Sequence, residues 1–329
     1  MPAPSSTHPY TALTPDVVLD ALDSVGHRGD GRLLSLGSYE NRVYQVYRDD
    51  APPLVAKFYR PERWTDGQIL EEHAFVAELA ASEIPVVAPI STDGKTLHAF
   101  AGFRFAAYPK CGGRAPELED RSTLEWLGRF LGRIHALGKL RRFRHRPAIE
   151  LESFGRVPRD WLLDHDFIPA DLVPAWRSIA SQALEGVQHA YDRAGDISYL
   201  RLHGDCHAGN VLWSDVGPHF VDFDDARSGP AVQDLWMLLS GDRAAMSSQL
   251  AAVLDGYEDF AEFDSRELHL VEALRTLRLL HYSAWLAARW DDPAFPAAFP
   301  WFNTQRYWQD RILELREQVA LMDEPPLSV

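Results

Sequence analysis

The chain has 329 residues, 46% hydrophobic and 25% charged, an ordinary globular composition long enough for one large domain or two moderate lobes. Its formal net charge of −15 excludes the basic footprint that a nucleic acid or an anionic membrane surface requires. Two cysteines, Cys111 and Cys206, are too few and too far apart for a disulfide scaffold or zinc cluster, and neither a leader nor a spanning apolar run is present, so a cytoplasmic chain is expected.

In chain order, LTPDVVLDALDSVG predicts a capped helix, with Thr14 as N-cap, Pro15 at the first helical position, Asp16 next and Gly26 beyond the end. GRLLSLGSYENRVYQVYR predicts two strands about a turn, since Val43, Tyr44, Val46 and Tyr47 suit half-buried pleated positions, and PLVAKFYR predicts a third. DGQILEEHAFVAELAAS carries Ile69, Leu70, Phe75, Val76 and Leu79 at helical spacing, and IPVVAPI and FAGFRFAAYP read as two further strands. From about residue 110 the pattern turns helical, in DRSTLEWLGRFLGRIHALG, VPAWRSIASQALEGVQHAYDRAG, AVQDLWMLLSG, SRELHLVEALRTLRLLHYSAWLAARW and NTQRYWQDRILELREQVALM. The expected fold class is α+β: residues 1–108 as a small antiparallel five-stranded lobe with a leading helix and one main inserted helix, and residues 109–329 as a larger, mainly helical lobe. A cleft at their junction is where a ligand is expected.

LHGDCHAGNVLW, residues 202–213, carries the chemistry. Phosphoryl transfer from ATP needs an acceptor for the substrate hydroxyl proton, ligands for Mg²⁺ and a cation for the nucleotide phosphates. His203, Asp205 and Asn210 stand at the spacing of the protein-kinase His-x-Asp-x-x-x-x-Asn pattern, in which the Asp is the base and the Asn a metal ligand. In FVDFDD the apolar Phe220 and Val221 make a strand that delivers Asp222, twelve positions after Asn210, and a carboxylate with an amide oxygen is the hard donor set Mg²⁺ selects. LVAKF matches the strand lysine of the V-A-I-K element, assigning Lys57 to the nucleotide phosphates. Glu71 and Glu72 are about 100° apart around the following helix, so one of them can face that lysine, and Glu72 shares the side of Phe75, Val76 and Leu79. Taken singly, Lys57 is a snorkelling surface residue and the His-Asp-Asn spacing a chance match; their joint order and context point to a kinase.

LHGDCHAGN with VDFDDA resembles the aminoglycoside-phosphotransferase and choline-kinase-like family, a branch of the protein-kinase-like bilobal fold. More closely, GSYENRVYQV, KFYRPERWTDGQILEEHAF, FRFAAYPKCGGR, LHGDCHAGNVLW and VDFDDARSGPAVQDLWMLL, spanning residues 37–239, resemble a bacterial branch of that family regarded as serine/threonine protein kinases of a stress response. The resemblance implies Asp205 as proton acceptor, Asn210 and Asp222 as Mg²⁺ ligands with Asp222 essential for activity, Ser38 at the ATP phosphates and the backbone of residues 105–109 facing adenine. LGSYENRV departs from the glycine-rich loop of ordinary protein kinases; a serine hydroxyl and turn amides replace the missing glycine amides.

The acceptor is left open. Only DDARSG separates the metal-binding aspartate and Phe223 from Pro230 and the next helix, where ordinary protein kinases have a long peptide-presenting segment, and this shortness favours a small-molecule hydroxyl such as an amino alcohol, choline-like compound or aminoglycoside. The closer resemblance favours protein partners with exposed Ser or Thr, and Ser5, Ser6 and Thr7 in the Pro/Ser-rich start are the expected self-phosphorylation sites. A nucleotide-binding pseudokinase is disfavoured by the intact set Lys57, Asp205, Asn210 and Asp222. The aromatic tail, from Tyr282 and Trp285 to Tyr307 and Trp308, reads as core packing ahead of an ammonium cage, and Cys206 as an apolar filler ahead of a redox sensor. A monomer is expected.

Overall fold

The structure is a computed structural model that describes residues 8–329, so Ser5, Ser6 and Thr7 lie outside the described residues. Two compact units are present. One comprises the described residues up to Pro116 together with Gly209–Asp224 and Asp291–Ala294; the other comprises Glu117–Ala208, Asp225–Trp290 and Phe295–Val329.

In the first unit the Thr14 side chain accepts from the Val17 amide and Pro15 opens helix α1 (Pro15–Asp23). Strands β1 (Leu33–Leu36), β2 (Arg42–Val46), β3 (Leu54–Phe58), β4 (His98–Phe100) and β5 (Phe103–Pro109) form an antiparallel sheet in the order β1-β2-β3-β5-β4. Between β3 and β4 runs helix α2 (Asp66–Ala81), opened by a capping box of Thr65 and Gln68. The period of two sorts the sheet's faces. Leu54, Ala56, Phe58, Phe103, Phe105 and Ala107 pack with Val18, Ala21 and Leu22 of α1, whereas Lys57, opposite Ala106 in the ladder, shares the other face, where Ala106 joins Tyr59, Trp64 and Ile69.

Two of the expected strands are placed differently. Residues 84–90, IPVVAPI, form no strand: Pro85 and Pro89 have no amide to give a ladder, and Val86 makes a lone parallel bridge to Phe220. FAGFRFAAYP instead makes two strands, because Ala101 and Gly102, at φ 48° and 84°, form the two-residue turn that joins β4 to β5. A hairpin of Val211–Ser214 with Gly217–Phe220 also belongs to this unit, as does Asp292, whose carboxylate takes Arg60 at 2.9 Å and Arg42 at 3.3 Å.

The second unit holds α3 (Arg121–Gly138), α4 (Val157–Asp164), α5 (Val173–Ala194), α6 (Val232–Trp236), α7 (Arg243–Tyr257), α8 (Val271–Ala287), α9 (Ala294–Ala298, whose first residue falls in the first unit) and α10 (Gln305–Asp323). Helices α3 and α7 cross backbone to backbone: a Cβ on Gly128 would strike the Val253 carbonyl, one on Gly132 the Tyr257 carbonyl, and one on Gly256 the Glu125 carbonyl. Trp176 of α5 meets Trp308 of α10 edge to face at 6.2 Å. Residues 200–202 pair antiparallel with 227–229, framing the stretch that contains Asp205. AVQDLWMLLSG shortens to the five residues of α6, and SRELHL forms a 3₁₀ stretch ahead of α8. Helix α7 was not expected, since small residues surround RAAMSSQLAAVLDGY and blur its apolar face. Nor was the π-helical turn Leu151–Arg156 leading into α4, where Gly155 and Pro158 read as breakers.

Candidate active site

The candidate residues of the first unit gather about Lys57. Its Nζ lies 2.9 Å from Asp222 and 3.1 Å from Asp224. Burial alone would lower the ammonium's pKa, but the Asp222 and Asp224 carboxylates, with Tyr108 and Glu72 behind them, hold it well above the ordinary lysine value. Lys57 is therefore a permanent cation. Glu72 is 2% exposed on α2 whereas Glu71 is half-exposed, as the helix phase requires. Asp224, which the sequence reading left without a role, also takes Arg63 and, at 3.2 Å, the Asn41 amide.

The hairpin sets two more candidates side by side. Val211 pairs with Phe220, and one step further out the Val221 amide donates to the Asn210 carbonyl at 3.0 Å, so Asn210 and Asp222 flank the same end of the ladder. Asp222 adopts φ 60°, a left-handed conformation uncommon outside glycine that is retained at functional positions, and its side chain is 56% exposed. Among the described residues no three His, Cys, Asp or Glu side chains gather into an all-protein metal cage. A carboxylate and an amide oxygen form the smaller hard donor set that fits an ion shared with phosphates and water. Ser38 sits half-buried in the turn between β1 and β2.

In the second unit the Asp205 loop is held from beneath by a buried aspartate. The His203 and Gly204 amides each donate to the Asp234 carboxylate at 2.8 Å, Gln233 Nε2 donates to the Gly204 carbonyl at 3.1 Å, and His135 Nε2 lies 3.0 Å from Asp234. Gly204 has φ 85°, and a Cβ there would strike the Asp225 carbonyl. Asp205 itself meets Arg278 Nη1 at 2.6 Å and His207 Nε2 at 3.5 Å. Burial pushes its carboxyl up, but the His207 hydrogen bond and the Arg278 charge outweigh it, so the pKa falls below the usual carboxylate value. Its neighbours thus favour the carboxylate form of Asp205.

Residues 31–271, more than two thirds of the chain, match the family described as Phosphotransferase enzyme family. The chain belongs to this family. Over 325 residues, 99% of this chain and 98% of the relative, it is 47% identical to Stress response kinase A of Escherichia coli (strain K12). It is 46% identical over 320 residues, 97% of each chain, to the Serine/threonine protein kinase RdoA of Salmonella typhimurium (strain LT2). Among solved structures, a microcompartment-associated aminopropanol kinase covers 92% of this chain and 96% of its own at TM-score 0.70 and 18% identity. The amicoumacin kinase in complex with AMP-PNP, Ca²⁺ and Ami covers 91% and 90% at TM-score 0.69 and 19% identity. The fold of this phosphotransferase is thus α+β and protein-kinase-like, and the protein is a kinase that moves a phosphoryl group to a hydroxyl.

Within this phosphotransferase, Cys206 is fully buried and burial pushes its thiol well above the ordinary value, the state of an inert apolar filler. Phe295, Phe302, Tyr307 and Trp308 are buried and stack on one another or on Trp285 and Trp176, which makes them core. Among the described residues no helix is long and apolar enough to cross a membrane. Asp234 and Arg278 escaped the sequence reading. A lone Asp inside the apolar run AVQDLWMLL was the available signal for Asp234, because a buried carboxylate must have partners.

Proposed function

We propose that the protein is an ATP- and Mg²⁺-dependent serine/threonine protein kinase of a bacterial stress response, acting as a cytoplasmic monomer on protein partners with exposed Ser or Thr. What carries the choice of acceptor is the near-full-length identity, 47% and 46%, to a stress response kinase and to a serine/threonine protein kinase. The geometry supports the chemistry.

In this reading residues 1–108 bind the nucleotide and residues 109–329 supply the catalytic loop and substrate surface. The acceptor oxygen attacks the γ-phosphorus, the bond to the β,γ-bridging oxygen breaks, ADP leaves, and the hydroxyl proton passes to Asp205, which its neighbours keep ionised. Lys57 takes the nucleotide phosphates, with Glu72 on its buried side, and Ser38 with its turn amides touches them from β1–β2. Asn210 and Asp222 would hold Mg²⁺, which would supply positive charge to the nucleotide phosphates. Lys57 and Asp222 are 2.9 Å apart, which sets the cation for the phosphates beside the carboxylate for the metal.

A small-molecule acceptor is the second reading, and one observation favours it. The segment after Asp225 is spent on the ladder 227–229 with 200–202, leaving no free stretch to present a peptide. The test is incubation with labelled ATP and Mg²⁺, alone, with myelin basic protein, and with a panel of amino alcohols and aminoglycosides, beside Asp205→Asn. Label on protein that the variant abolishes is the expected result. Rapid labelling of a small alcohol with no phosphoprotein would transfer the assignment to the second reading.

A further inference from the structure

Asp205 is gripped by an arginine from a distant helix. Arg278 lies 73 residues further along the chain, on α8, and its Nη1 donates to Asp205 Oδ1 at 2.6 Å. That is the short end of charge-assisted N–H···O contacts. His207 Nε2 stands 3.5 Å from Oδ2, a longer contact, so the arginine is the closer of these two holds.

Stability is a poor reason for the pair. Arg278 is 40% exposed, so water screens its side of the pair and the pair's contribution to stability is small. The arginine is nonetheless planted on a rigid support, since Leu274, Leu277 and Leu280 of the same helix are buried. A carboxylate free to rotate about its side-chain torsions would present either oxygen, or neither, to an incoming hydroxyl; one tied at Oδ1 presents Oδ2 in a single orientation.

We infer that Arg278 is a positioning residue for phosphoryl transfer, which fixes the Asp205 carboxylate through Oδ1 so that Oδ2 is presented to the acceptor hydroxyl. The inference rests on the reading of Asp205 as proton acceptor. It requires that loss of the guanidinium slow the chemical step while nucleotide binding is left alone, because Arg278 acts through the Asp205 carboxylate.

The experiment compares wild type, Arg278→Ala, Arg278→Lys and Asp205→Asn, with ATP, Mg²⁺ and myelin basic protein. Arg278→Ala should lower kcat about 10- to 100-fold, the cost of a misplaced reacting group, with the KM for ATP and the melting temperature unchanged. Arg278→Lys should recover part of the loss, and millimolar guanidinium ion added to Arg278→Ala should recover more. An unchanged kcat, or a loss accompanied by a raised KM for ATP and deaf to guanidinium, would overturn the inference. Asp205→Asn separates the two levels: wild-type turnover in that variant removes the base assignment itself, whereas a dead Asp205→Asn beside a fully active Arg278→Ala removes only the role of Arg278.

Discussion

Replacing Glu267 by glutamine should stabilise the protein at pH 8 far more than at pH 5. Glu267 is 2% exposed in the 3₁₀ stretch Ser265–Leu270, and its carboxylate accepts the Val232 amide at 2.8 Å at the start of α6. Burial, helped by the charge of Asp264 and opposed by the Val232 and Ala231 amides, raises its pKa from 4.5 to about 7. Between those two values the folded state binds more protons than the unfolded one, so this group makes stability fall as pH rises through the window. Converted at about 1.4 kcal/mol per pH unit, the wild type carries a penalty of about 1 kcal/mol at pH 5 and about 3 kcal/mol at pH 8. Glutamine keeps an oxygen for the Val232 amide and has no charge to desolvate. Urea unfolding of both proteins at the two pH values checks this, since all other titrating groups cancel in the difference between them. A stability difference independent of pH, or a glutamine variant less stable at pH 8, would refute the reasoning.

Asp222→Ala should remove the Mg²⁺ dependence of ATP binding together with activity, measured by calorimetric titration of ATP with and without the metal. Because the Asp205 pKa is lowered, this carboxylate stays ionised to lower pH than an ordinary aspartate, and with Asp205 as the proposed base the acid limb of kcat/KM should lie below the usual carboxylate range in a pH–rate profile on material that remains folded. Gly128→Ala drives a methyl against the Val253 carbonyl and should cost about 1–3 kcal/mol in thermal or denaturant unfolding, whereas Gly112→Ala, whose Cβ would meet only the far end of Lys110 at 3.9 Å, should be close to neutral.

Legibility in the sequence followed the range of the interaction. The cap of α1 was readable because Thr14 acts on an amide three residues away, and α2 because its apolar residues recur at helical spacing, although the Thr65–Gln68 capping box that opens it went unread. The candidate residues Asp205, Asn210 and Asp222 were readable because their chemistry has a fixed spacing along one stretch of chain. Asp234 holds amides 30 and 31 positions away, and Arg278 holds a carboxylate 73 positions away; no periodicity records such partners. Where local signals competed, the stronger constraint won: valines and isoleucines argued for a strand at 84–90, but two prolines removed the ladder. Ala101-Gly102 is a weak hairpin signal beside Asn-Gly, which is why β4 and β5 read as one strand.

The Arg227–Gly229 ladder narrows what a protein acceptor must be like. Ser228 pairs with Arg201, its carbonyl accepts the Ile149 amide at 2.8 Å, and its flanks are buried, so phosphorylating it would first require peeling a strand from a two-stranded ladder. A segment so engaged cannot also act as a template for an extended substrate. If the acceptor is a protein, the phosphorylated stretch must therefore bring its own freedom: a terminus or loop tip with small polar residues, able to place one hydroxyl at Asp205 without strand pairing to guide it. Such a substrate is chosen by reach and by contacts away from the reacting residue more than by a consensus around it. The short connection after Asp222 thus argues less against protein as acceptor than against a folded or strand-docked one.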